Sequence, residues 1–97
     1  MLLRALTTQG GHQGLTSGSD AILVPSGILG GVNISADGSN AATVIVRKGA
    51  PGNPGEVIFH QVTISPIFII GPIQAAQECT ISVSGTGGLA QFFEWVP

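Results

Sequence analysis

No apolar run in this chain travels far before Gly, Pro, Asn or Asp interrupts it. Pro25-Ser26-Gly27, Asp37-Gly38-Ser39-Asn40, Gly49 to Gly55, Gly71-Pro72 and Gly85-Thr86-Gly87-Gly88 separate short stretches rich in Ile and Val. Breakers recurring roughly every 8–12 residues leave room for strands and almost none for helices. The runs between them carry β-branched residues, with eleven Ile, eight Val and seven Thr in 97 residues. Such side chains suit a pleated, half-buried surface. Parallel strands need crossover segments of about a dozen residues or more, and the connections here are too short for that. The expectation is an all-β fold: an antiparallel β-sandwich, jelly-roll-like, of seven or eight short strands. Stacking two sheets, or closing one, deals with the exposed edges of so short a chain.

Strand phases can be read where apolar and polar residues alternate with period two. Ile28–Ala36 places Val32, Ile34 and Ala36 on one face, with Asn33 and Ser35 on the other. The 41–48 run sets Ala42, Val44 and Val46 against Thr43, Ile45 and Arg47. Asp37-Gly38 between them has the chemistry of a tight hairpin turn, so 28–36 and 41–48 are expected to pair. Glu78–Ser84 turns Cys79, Ile81 and Val83 inward and Thr80, Ser82 and Ser84 outward. Further strands are expected at Ala21–Val24, Glu56–Ile64, Ile67–Ile70 and Leu89–Val96. In the last, Leu89, Gln91, Phe93 and Trp95 share one face, and Ala90, Phe92, Glu94 and Val96 the other.

Residues 1–19 divide into an apolar start and a Gly/Gln-rich stretch, Gln9 to Gly14, with nothing to bury. They are read as an N-terminal arm or edge strand with its loop, and residues 20–97 as the sandwich domain. The apolar start lacks the long core of an export signal. The run Ile67-Phe68-Ile69-Ile70 is far short of the roughly 20 residues of a spanning helix. No membrane association is expected, and synthesis in a reducing cytoplasm fits the single cysteine.

Only 8% of residues are charged, and the net charge is −2. That balance excludes a phosphate-binding basic face, so no nucleic-acid partner is expected. High β-branched content with little charge also excludes intrinsic disorder. A soluble small domain by design standards carries roughly 25–35% charged surface. The shortfall points to surface covered by partners, with a homotrimer expected.

Few residues offer chemistry. His12 reads as a solvated loop histidine, and His60 as a structural or interface residue within a strand. Cys79, in the inward phase of its strand, reads as a buried thiol acting as a small hydrophobe. Two His and one Cys are too few for a four-ligand zinc site without carboxylates. Asp37 is one carboxylate where a calcium loop needs several. Gly85 to Gly88 lacks the Lys-Ser/Thr and the helix of a phosphate loop. Asn33-Ile34-Ser35 is a chance sequon match. No enzyme activity, metal or cofactor is expected. The residues expected at interfaces are Leu2, Leu3, Leu6, Ile67, Phe68, Phe92, Phe93 and Trp95, because aromatic and apolar anchors concentrate where proteins meet.

The segment Gly31-Val32-Asn33-Ile34-Ser35-Ala36-Asp37-Gly38-Ser39-Asn40-Ala41-Ala42-Thr43-Val44-Ile45-Val46 resembles small β-sandwich virion proteins of tailed bacteriophages. So do Gly71-Pro72-Ile73 and Cys79-Thr80-Ile81-Ser82-Val83-Ser84-Gly85-Thr86-Gly87. The resemblance covers about residues 22–97 and consists of turn-and-strand signatures. It departs at the Pro-rich Gly49–Gly55 stretch and at the apolar 65–70 run. It implies a non-enzymatic capsid decoration (cement) protein on the virion surface, bound to the major capsid protein or other virion proteins. The alternatives are a head–tail or tail component, and a carbohydrate-binding module of host recognition.

Overall fold

Alternation of side chains needs two layers to bury the apolar half, and the chain supplies them as two four-stranded sheets. The computed structural model describes residues 2–50, 52–75, 77–85 and 89–96. Its strands are β1 (Leu2–Ala5), β2 (Gly18–Leu23), β3 (Ile28–Ile34), β4 (Ala42–Lys48), β5 (Val57–Thr63), β6 (Ile67–Gln74), β7 (Glu78–Ser84) and β8 (Ala90–Val96). One sheet has the order β1-β8-β3-β6 and the other β2-β7-β4-β5. All pairings are antiparallel. This interleaving of two Greek keys is jelly-roll connectivity.

The core lies between the sheets. Val32, Ile34 and Phe92 come from the first, and Val44, Val46, Cys79, Ile81 and Val83 from the second. The inward phases expected for β3, β4 and β7 are those observed.

The expected hairpin between 28–36 and 41–48 is not formed. β3 pairs with β6 and β8, while β4 pairs with β5 and β7. The 35–41 segment crosses from one sheet to the other, so both strands bury the same kind of face against a shared core. The turn chemistry itself is present. Gly38 has φ +88°, and Asp37 Oδ1 accepts hydrogen bonds from the Ser39 and Asn40 amides, both at 2.8 Å. Those bonds hold the Asp37 carboxyl below its usual range. Among the described strands, β4 and β5 are the only consecutive pair that share a sheet.

Three other segments differ from expectation. β6 runs on through Gly71-Pro72 to Gln74. Proline is tolerated there because β6 is an edge strand, and the register against β3 shifts beside it, between Leu29 and Gly31. β5 pairs with β4 through a bulge, with Val46 opposite Phe59 and Arg47 opposite Val57. The unpaired Ile58 thereby packs on the core alongside Phe59, which is why both phases of this strand are apolar. The 6–17 segment is tied down in place of forming a free loop. Leu6 is buried, Thr8 bridges Ile22, and Leu15 bridges Ala90. No helix among the described residues is long and apolar enough to cross a membrane.

Candidate interaction surface

The two sheets present different outer faces. On β2-β7-β4-β5 the outward positions include Ser19, Thr43, Arg47, His60 and Ser82, a polar set interrupted by Leu23, Ile45, Val57 and Val62. A shallow cavity of about 230 Å³ on this side is lined by Ser19, Ile45, Arg47, Pro54, Thr80 and Ser82. On β1-β8-β3-β6 the outward positions are Leu3 and Ala5, Gln91, Phe93 and Trp95, Gly30, Gly31 and Asn33, and Phe68 and Ile70. None of these is charged. A hydrogen bond of 3.0 Å from Asn33 Nδ2 to Gln91 Oε1 is the polar element at one end.

Two glycines shape this face. The β3–β8 register shifts between Leu29 and Gly31, so Gly30 is an extra residue in β3. A Cβ on Gly30 would lie 2.6 Å from Leu3 Cδ2 and 2.8 Å from Trp95 Cδ1. A Cβ on Gly31 would lie 2.7 Å from Phe68 Cε1. The β3 backbone is therefore a floor against which Trp95, Leu3 and Phe68 lie, and any side chain on it would lift them. Phe68 stacks on Phe93 with ring centroids 5.5 Å apart and planes at 22°. The stack couples β6 to β8 over the intervening β3. Beside it a cavity of about 330 Å³ is lined by Ile28, Gly71, Pro72 and Trp95. An adjoining one of about 520 Å³ is reached past Ile28 and Pro72, toward Ser26, Gly27, Gln74 and Ala75.

Of the eight residues expected at interfaces, Leu3, Phe68, Phe93 and Trp95 meet on this face. Ile70, exposed to 65%, joins them from β6. Leu2 is exposed, on the opposite phase of β1. Ile67 packs against the core. Leu6 and Phe92 belong to the core of the sandwich itself. They are removed from the surface set, because Phe92 occupies the inward phase of β8 and the Leu6 amide donates to its carbonyl at 2.9 Å.

Glu94 was not singled out by the sequence, and among the described residues it is the one charged residue of the interior. It shares the inward face of β8 with Phe92 and is fully buried. Arg4 of β1 binds it through Nε at 2.8 Å to Oε2 and through a second contact from Nη2. The Ser26 amide donates to Oε1 at 3.1 Å. Burial pushes the Glu94 carboxyl up, but the bonds from Arg4 and Ser26 outweigh it and leave the group below its ordinary value. A glutamate on the inward phase of a strand, with an arginine on a possible partner strand, is the pattern that marks such a pair.

The remaining chemistry-bearing residues are dispersed. Cys79 is inside the sandwich, His60 is on the outer face of β5, and His12 is exposed in the 6–17 segment. Asp20 accepts from the Ala21 amide at 2.7 Å and the Gly10 amide at 3.2 Å. Hydrogen bonds from the Thr8 side chain and these amides hold it below its usual range. No group of three or more His, Cys, Asp and Glu among the described residues could hold a metal ion. Of Gly85 to Gly88, considered as a phosphate loop, residues 86–88 lie outside the described residues.

Fold and surface together define an eight-stranded jelly-roll sandwich with one uncharged, aromatic sheet face. Compared with protein-family models, with curated proteins and with solved structures, the chain matches none.

Proposed function

We propose that this chain is a non-enzymatic structural protein of a tailed-phage virion, working as a capsid decoration protein that binds the assembled major capsid protein. The observation that carries this reading is the glycine-floored face on which Leu3, Phe68, Phe93 and Trp95 gather without a charge. Contiguous apolar surface of this kind marks a place where another macromolecule docks. A rigid jelly roll with one such face holds its contacts in register with little ordering cost on binding. A decoration protein acts by linkage. It binds the closed lattice better than free subunits, stabilising the shell by RT ln(1 + [L]/Kd), or about 2.7 kcal/mol per copy at a hundredfold excess over Kd. Many copies multiply a modest affinity.

The test adds purified chain to mature capsids that lack it and measures binding and the temperature at which the shells rupture. The expected result is saturable binding with a raised rupture temperature. Trp95→Ala and Phe68→Ala should each weaken binding roughly 30-fold, as loss of an interface anchor worth about 2 kcal/mol does. Absence of binding by the folded wild-type chain, or an unchanged rupture temperature with bound chain, would overturn the reading.

A further inference from the structure

Four strands lie at sheet edges, and three of them are blunted. β1 has four residues and carries Arg4. β2 is covered over part of its length, where the Gln9 amide donates to the Ala21 carbonyl at 2.9 Å and Thr8 bridges Ile22. β6 contains Pro72, which has no N–H to offer, and is bulged beside it. β5 has neither a proline nor a covering segment along its edge. Its bulge lies at its start, and from Phe59 to Thr63 it runs in regular register against β4. From 58 to 64 there is no Pro, Asp, Glu, Lys or Arg. Val62 and Ile64 are 51% and 53% exposed beside this edge. Natural sheets guard long edges with charge, proline, bulges or a covering segment, because an open row of N–H and C=O groups is a template for another strand.

We propose that β5 pairs antiparallel with β5 of a second copy of this chain, about a two-fold axis at Gln61, joining two four-stranded sheets into one of eight. Open backbone groups on an edge are matched by another extended chain, and β5 is complementary to itself. Directly opposed residues in a sheet share a face. An axis at Gln61 sets Gln61 against its own copy, His60 against Val62, and Phe59 against Thr63. No like charges oppose, and the same patch serves both subunits, as closed two-fold contacts require. In the single chain, Gln61 Nε2 donates to the Val62 carbonyl at 3.2 Å, satisfying that acceptor locally. The contact is two-fold, in place of the threefold association expected from composition. It does not depend on the virion reading and leaves the aromatic face free.

The test is sedimentation of the purified full chain from micromolar to submillimolar concentration, with far-UV circular dichroism on every variant. The wild type should reach twice the 9.8 kDa chain mass. Val62→Lys, at an exposed outward position, should weaken association at least tenfold, and Ile70→Lys on the other sheet should leave it unchanged. Gln61→Cys should form an intermolecular disulfide on mild oxidation, and Val57→Cys should not. The disulfide assay keeps the test decisive if Val62→Lys fails to fold. A wild type that stays monomeric throughout overturns the proposal, including one that pairs only with a strand of another protein. So does an oligomer insensitive to Val62→Lys and without the Gln61→Cys cross-link.

Discussion

Arg4 and Glu94 stand directly opposite each other on β1 and β8, 90 residues apart in sequence, and their side chains close an ion pair over the end of the core. Glu94 is wholly out of water, whereas the Arg4 side chain remains 58% exposed. The pair thus ties a short edge strand to the interior through one buried anchor.

Removing the cation should therefore cost more than a surface pair would. Arg4→Ala leaves a buried carboxylate with only its bonds from Ser26, and should destabilise the fold by about 3 kcal/mol, the low end for breaking a buried pair, because Arg4 itself is partly hydrated. Equilibrium denaturation checks this. Replacing both residues by apolar ones of similar size should recover much of the loss.

Acid should weaken the fold through the same group. The Glu94 carboxyl lies below its ordinary value of 4.5 in the folded chain, so the unfolded chain binds its proton more readily. Its stabilising contribution is complete above that ordinary value and is lost as pH falls through the lower folded one. Asp20, half-buried, and Asp37, exposed, shift in the same direction from 3.8 and reinforce the sign. The melting temperature should be level near neutrality and fall once the pH drops below about 4.5. In Arg4→Ala the acid loss should shrink.

The glycine floor under the aromatic face predicts a clash with a defined cure. Gly31→Ala places a methyl 2.7 Å from Phe68 Cε1, and should cost about 1–3 kcal/mol as an overpacked site does. Phe68→Ala in the same chain should relieve most of it. Gly30→Ala should displace the indole of Trp95, the sole tryptophan, and shift its fluorescence.

Cys79 should react with thiol reagents only as fast as the sandwich opens. Its side chain is fully buried between the sheets, so labelling should be slow in the native state and accelerate in denaturant with the unfolding transition. Rapid stoichiometric labelling without denaturant would contradict the placement of β7.

Much of the strand inventory was legible in the sequence, because period-two alternation reports directly on burial. β4 and β7 have the phases that Val44 and Ile81 announce, whereas in β8 the two faces could be separated but not which of them turns inward, so Phe92 was expected at an interface and lies in the core. Sheet membership was not legible between β3 and β4. Asp37-Gly38 encodes a change of direction, and the same local chemistry serves a hairpin or a crossing between layers. What decides is which strands bury the same core, and that is set by partners far along the chain. The aromatic face was half visible: Phe68, Phe93 and Trp95 could be named, but not that Gly30 and Gly31 lie beneath them. Glu94 escaped notice because its burial depends on Arg4, at the other end of the sequence.

The interleaved strand order also governs how fast the native state can be reached. With β4–β5 the sole neighbouring pair joined directly among the described strands, almost every ladder requires closing a long loop before any contact repays it. Topologies of that kind fold in milliseconds to seconds, slower than helical bundles of equal length. The β4–β5 hairpin closes the shortest loop of any ladder among the described strands. β8, inserted between β1 and β3, joins the two ends of the chain, so the ladder that carries Arg4 and Glu94 closes one of the longest loops in the fold.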